Sequence, residues 1–165
     1  MKNLLFSTML LVFAVLISGC PVGLDFPLGD PGKEKIDERL LGTWIDQSGE
    51  AEMQKLTLTK KDDYTYEVHV LEKGEMYALQ VDYLDAWVTT LEGQSFLFGK
   101  PHDENDQKFY HYHYVFDGED LIVHDVSLLE GGIDAVTSRE ALRKEVVASM
   151  KKPDFMSSKV VYLKD

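Results

Sequence analysis

From Thr43 to Val126 apolar and polar residues alternate in short runs, and turn-forming residues interrupt them about every ten positions. This is the pattern of an antiparallel all-β domain. Leu56 and Leu58 alternate with Thr57 and Thr59. After Lys61-Asp62-Asp63, residues Tyr64, Tyr66, Val68 and Val70 share one face, and after Glu72-Lys73-Gly74-Glu75 a second face follows at Tyr77, Leu79, Val81 and Tyr83. Trp87–Leu91 and Phe96–Phe98 flank a tight Glu92-Gly93 turn, and Phe109–Phe116 and Leu121–Val126 close around Asp117-Gly118, a strong hairpin signal. Pro101–Gln107 is rich in charged and amide side chains and reads as a solvated loop. With a first strand at Thr43–Asp46, these runs predict about eight strands joined by short connections, which suits an up-and-down barrel. Val160–Leu163 is a candidate final strand.

The period changes once, late in the chain. Thr137 and Glu140 have capping-box spacing, and Val136 can staple to Ala141. Leu142, Val146 and Met150 then form a helical stripe that ends at Lys151-Lys152 before Pro153. Arg139, Glu140, Arg143, Lys144 and Glu145 are expected on the polar face, so the helix should lie against the barrel wall or over its end.

Before the first strand the chain is different. Residues 1–19 combine Lys2, a 14-residue apolar run from Leu4 to Ile17, and the small residues Ser18 and Gly19, the layout of a secretory leader too short to cross a bilayer. Leu16-Ile17-Ser18-Gly19-Cys20 resembles the lipobox of bacterial lipoproteins. The resemblance implies cleavage before Cys20, diacylglycerol on its thiol with further acylation of the new N-terminus, and a protein anchored to the bilayer of the cell envelope. Cys20 is the only cysteine, so no internal disulfide is available. The inner-membrane retention signal that the same resemblance brings in would place Asp at position 21. Pro21 stands there instead, which leans toward the outer membrane. Residues 20–35, with Pro21, Pro27, Pro31 and three glycines, read as a lipidated cysteine and flexible spacer. Residues 36–165 read as one domain.

Charge excludes more than it identifies. The chain has a formal net charge of −12, and the loss of the leader with Lys2 makes the balance more acidic by one. Nucleic acid requires a basic footprint, so no nucleic-acid partner is expected.

Leu41-Gly42-Thr43-Trp44, at the start of an antiparallel meander with a late helix and terminal strand, resembles the lipocalins. The resemblance implies that Gly42 lets the chain bend into the first strand and that Trp44 plugs one end of the barrel. It departs from that family in lacking a convincing second motif and a late-strand Arg to stack on Trp44.

Two constellations carry candidate chemistry. Tyr64, Tyr66, Tyr77, Tyr83, Tyr112 and Tyr114, with Tyr110 and Phe116, offer flat apolar walls with hydroxyls. They can line a cavity for a small apolar or amphipathic ligand or simply fill the interior. His111 and His113 share a strand face, and the next strand returns His124 beside them. If Asp117 and Gly118 are the loop residues, His111 opposes His124; a four-residue loop pairs His113 with His124; a three-residue loop turns His124 to the other face. Three imidazoles on one face would suit zinc. A third possibility is docking on another envelope protein, for which no residue pattern singles out a surface. No nucleophile elbow, phosphate loop or H-E-x-x-H motif is present, so no catalytic residue is assigned, and no cofactor is expected beyond the lipid on Cys20.

Overall fold

A computed structural model describes residues 23–75, 77 and 81–165. The leader, Cys20 and Pro21 lie outside the described residues. Eight strands form a closed antiparallel barrel in which sequence neighbours are spatial neighbours: β1 (Gly42–Asp46), β2 (Met53–Lys60), β3 (Tyr66–Lys73), β4 (Tyr83–Leu91), β5 (Gln94–Pro101), β6 (Tyr110–Asp117), β7 (Asp120–Asp125) and β8 (Val160–Lys164). β8 pairs back onto β1 through Trp44↔Lys164, Ile45↔Leu163 and Asp46↔Tyr162, so no sheet edge remains. This is the expected all-β lipocalin-like architecture with one late helix. Among the described residues, the ring closes and two buried clusters form within residues 24–165.

Turn chemistry sets the register. Glu92 and Gly93 both have positive φ (50° and 76°), as a two-residue turn between twisted strands demands, and Leu91 pairs with Gln94 around them. At the next hairpin the loop residues are Gly118 and Glu119, flanked by the Asp117↔Asp120 pair. Of the three registers open from sequence, this selects the one that pairs His113 with His124.

The run predicted from Tyr77 to Tyr83 falls partly outside the described residues. Tyr77 and Val81 lie in the β3–β4 connection, and a single long β4 begins at Tyr83 and runs through Trp87 to Leu91. The β3–β4 pairing among the described residues ends at Val68↔Leu84 and His69↔Tyr83.

The barrel has two unlike ends. At the closed end a 3₁₀ turn, Glu38–Leu40, crosses the opening. Trp44, 1 % exposed, donates its indole N–H to the Leu40 carbonyl at 2.8 Å. The Tyr66 hydroxyl accepts from the Asp37 N–H and donates to the Asp37 carbonyl, and Arg39 lies 4.5 Å over the Phe116 ring. The other end carries the longer connections, β1–β2, β3–β4, β5–β6 and β7–β8.

Residues 23–35, expected as a flexible spacer, are packed instead. Leu24 and Phe109 exchange backbone hydrogen bonds of 2.9 and 2.8 Å at the rim of the open end. From there the chain runs down the outer wall, burying Leu24 and Leu28, to the closed end, where the Ile36 N–H reaches the Asp63 carbonyl. Gly29 is required on the way, because a Cβ would lie 2.6 Å from that of Thr89. The Pro and Gly content that reads as a spacer serves a close-fitting strap whose few apolar residues are enough to hold it.

Helix α1 (Arg139–Ser149) packs against the same wall. Its N-cap is Ser138 rather than Thr137, with Ser138 Oγ accepting from the Ala141 N–H at 3.1 Å, and it ends before the two lysines. Leu142 and Val146 pack with Leu24, Leu28, Leu91, Phe96 and Phe155 into a second core outside the barrel. Glu145, expected on the polar face, is buried: it sits three residues after Leu142 and so belongs to the same face. Its carboxylate accepts from the backbone N–H groups of Glu130, Gly131 and Gly132 and from Ser149 Oγ.

Candidate ligand cavity

Inside the barrel is a cavity of about 480 Å³, open at the end away from Trp44. Its wall follows the two-residue strand period: Leu56 and Leu58 on β2, Leu84 and Ala86 on β4, Leu97 and Gly99 on β5, Tyr112 and Tyr114 on β6. The space exists because small residues coincide. Ala86 pairs with Gly99 across β4 and β5, so two adjacent inward positions supply almost no side chain. This volume falls within the range of small-molecule sites, roughly 300–1,000 Å³.

Ser48, Glu52, Asp125, Ser158 and Lys159 border the mouth. The β1–β2 connection is drawn into place by Asp46, whose buried carboxylate accepts from the N–H groups of Ser48 and Ala51 at 2.9 and 2.8 Å. Burial alone would raise the Asp46 pKa, but these donors hold it below the usual carboxylate value. The opposite side is fixed by Ser158, whose Oγ accepts from the Asp125 N–H and whose carbonyl accepts from His124 Nδ1. Tyr162 ties β8 to β2 by donating to the Met53 carbonyl at 2.8 Å.

Two carboxyls at this mouth are perturbed upward. Burial, reinforced by the neighbouring Asp125 charge, pushes Glu52 up to about 7, and burial likewise raises Asp125. Tyr77, Tyr110, Tyr112 and Tyr162 all feel the Glu52 charge, which helps to hold their phenols protonated.

The six tyrosines singled out from sequence divide into three groups. Tyr112 and Tyr114 line the cavity. Tyr66 is buried at the plugged end and Tyr77 within the β3–β4 connection, where it donates to the Val81 carbonyl. Tyr64 and Tyr83 are exposed; Tyr83 stacks between His69 and His102, with ring centroids 4.3 and 6.3 Å away.

His111, His113 and His124 share the outward face of β6 and β7, beneath the strap and Phe155 rather than in the cavity. The rings of His113 and His124 are 5.7 Å apart. His113 Nε2 lies 3.0 Å from Gln94 Oε1, and His124 Nδ1 is engaged by Ser158. His111 stacks near Phe98, and the Phe26 backbone approaches its ring without meeting hydrogen-bond geometry. Burial pushes His111 and His113 down to about 4, so both are neutral at physiological pH. Among the described residues no group of three His, Cys, Asp or Glu side chains is positioned to hold a metal ion.

Sequence reasoning passed over the mouth carboxyls. Asp125 follows Leu121 and Val123 at strict two-residue spacing, so an acid on an apolar face was a readable signal. Glu52 offered none: register shifts between Met53 and Leu56 change the inward parity before it is reached.

The chain matches no known protein family, no curated protein and no solved structure.

Proposed function

We propose that this protein is an envelope lipoprotein whose barrel holds one small amphipathic molecule, with the apolar body inside and the polar end at the mouth. The observation that carries the binding reading is the cavity of about 480 Å³, walled by aliphatic and tyrosine side chains and open at one end. An eight-stranded interior can be filled completely by its own side chains; this one leaves ligand-sized space beside Ala86 and Gly99. The anchoring reading rests on the lipobox-like Leu16–Cys20, with diacylglycerol on Cys20 and, by Pro21, an outer-membrane destination.

Binding is tested by native mass spectrometry of the untagged chain expressed in a bacterial host, before and after denaturation. A lost mass of a few hundred daltons, together with a rise in thermal stability on adding back the extracted compound, is the expected result. A single apo mass and no stabilisation by any apolar compound would remove the binding reading. Anchoring is tested by labelling cells with a palmitate analogue: wild type should incorporate it and Cys20→Ala should not.

A further inference from the structure

The polar side of the cavity is acidic. Tyr112, only 9 % exposed, projects into the cavity from β6, and its hydroxyl has no hydrogen-bond partner among the described residues. Directly opposite it in the β6–β7 register is Asp125, and Glu52 reaches in from the β1–β2 side. Neither carboxyl forms an ion pair among the described residues; Asp125 has the Ser158 hydroxyl beside it and His124 behind it. Lys159 borders the same mouth without bridging to either. That hydroxyl is open to the cavity and free to bond a ligand that enters it.

We propose, building on the binding reading above, that the preferred ligand class is an apolar primary amine. Its alkyl or aryl body packs against Leu56, Leu84 and Leu97, and its ammonium group donates to Glu52, Asp125 and the Tyr112 hydroxyl. The three acceptors suit the three hydrogens of an ammonium, and the aliphatic wall excludes a ligand that is polar throughout. An anionic head would meet two carboxyls in a partly desolvated mouth and be rejected. A neutral alcohol would satisfy Tyr112 but leave the carboxyls uncompensated. The amine preference should weaken in acid, because Glu52 takes up a proton near pH 7 and Asp125 is also raised. The other groups lining this site are Glu50, Lys159 and the phenols of Tyr112 and Tyr162; the phenols of Tyr77 and Tyr110, and His124 on the outer face, act on its carboxyls or feel their charge from outside the cavity. The phenols stay protonated and neutral, burial pushing all four further up.

The test is calorimetric titration of the leaderless chain, residues 20–165 with Cys20→Ser, using decylamine, decanol and decanoate at pH 8. Decylamine should bind at least tenfold more tightly than decanol, and decanoate most weakly. Tyr112→Phe should weaken decylamine severalfold, and Glu52→Gln with Asp125→Asn should abolish the preference while circular dichroism stays unchanged. If the double variant does not fold, the wild-type ranking and Tyr112→Phe decide. Decanol or decanoate binding as well as decylamine would overturn the amine assignment and leave the binding reading standing. Failure of all three probes to bind would overturn both.

Discussion

Ala86 and Gly99 face one another across β4 and β5, and the cavity is the side-chain volume that this pair does not supply. A Cβ on Gly99 would have nothing nearer than the Asp85 carbonyl oxygen at 3.4 Å, so the backbone there accepts a side chain. Gly99→Leu and Ala86→Leu should therefore fill the cavity rather than break the barrel. Each should lower affinity for an apolar probe at least tenfold, and urea midpoints should stay level or rise. Undiminished binding in both variants would place the ligand elsewhere.

Trp44 stops the opposite end. Its ring is buried, bonded to Leu40, and covered by Lys164 Nζ at 5.2 Å from the centroid, so a β8 lysine occupies the place of the missing late-strand arginine. Trp44→Ala should destabilise the fold by roughly 3–5 kcal/mol, the usual range for a buried Trp. Trp44→Phe keeps most of the packing but orphans the Leu40 carbonyl, and should cost less. Urea unfolding followed by tyrosine fluorescence and circular dichroism checks the order.

Glu145 holds the Glu130–Gly132 loop onto α1 through three backbone N–H groups. Burial would raise its pKa, yet these donors prevail and hold it below the ordinary value of 4.5. Its contribution is thus present above the unfolded carboxylate pKa and is lost as pH falls through the lower folded value. Glu145→Gln should cost about 2 kcal/mol at pH 7, the scale of charge-assisted hydrogen bonds, and the deficit should shrink in acid. Equal deficits at pH 7 and pH 3 would contradict the assignment.

His111 and His113 act in the same direction by another route. Both fold as neutral rings with values near 4 against 6.5 for the free side chain, so the unfolded chain binds the extra protons. Stability should fall as pH drops from 6.5 toward 4. His111→Leu should flatten part of that slope in urea titrations while leaving the barrel intact, since the site is apolar and beside Phe98.

The barrel was legible because period-two alternation and the Glu92-Gly93 turn report directly on strand faces and connections, while Asp117-Gly118 marked a hairpin whose loop proved to be Gly118-Glu119. The late helix was legible from Leu142 and Val146. Three features were hidden for distinct reasons. The strap depends on a few apolar residues among prolines and glycines, with no period to detect. Glu145 looked solvent-facing because its charge outweighed its position beside Leu142. The six tyrosines looked equivalent, but Tyr64 precedes its strand and Tyr83 opens β4 on the outer face, and of the six Tyr112 and Tyr114 meet the cavity, joined there by Tyr162 from β8. A cavity is the absence of side chains, and the small residues that create it carry no chemical signature of their own.

The backbone bonds between Leu24 and Phe109 set the length of a leash. Leu24 lies four positions after Cys20, a reach of at most about 14 Å even when fully extended. Since Phe109 lies at the open rim, a lipid on Cys20 would hold the entrance, and not the Trp44 end, toward the membrane. A hydrophobic guest could then pass between bilayer and barrel with little exposure to water.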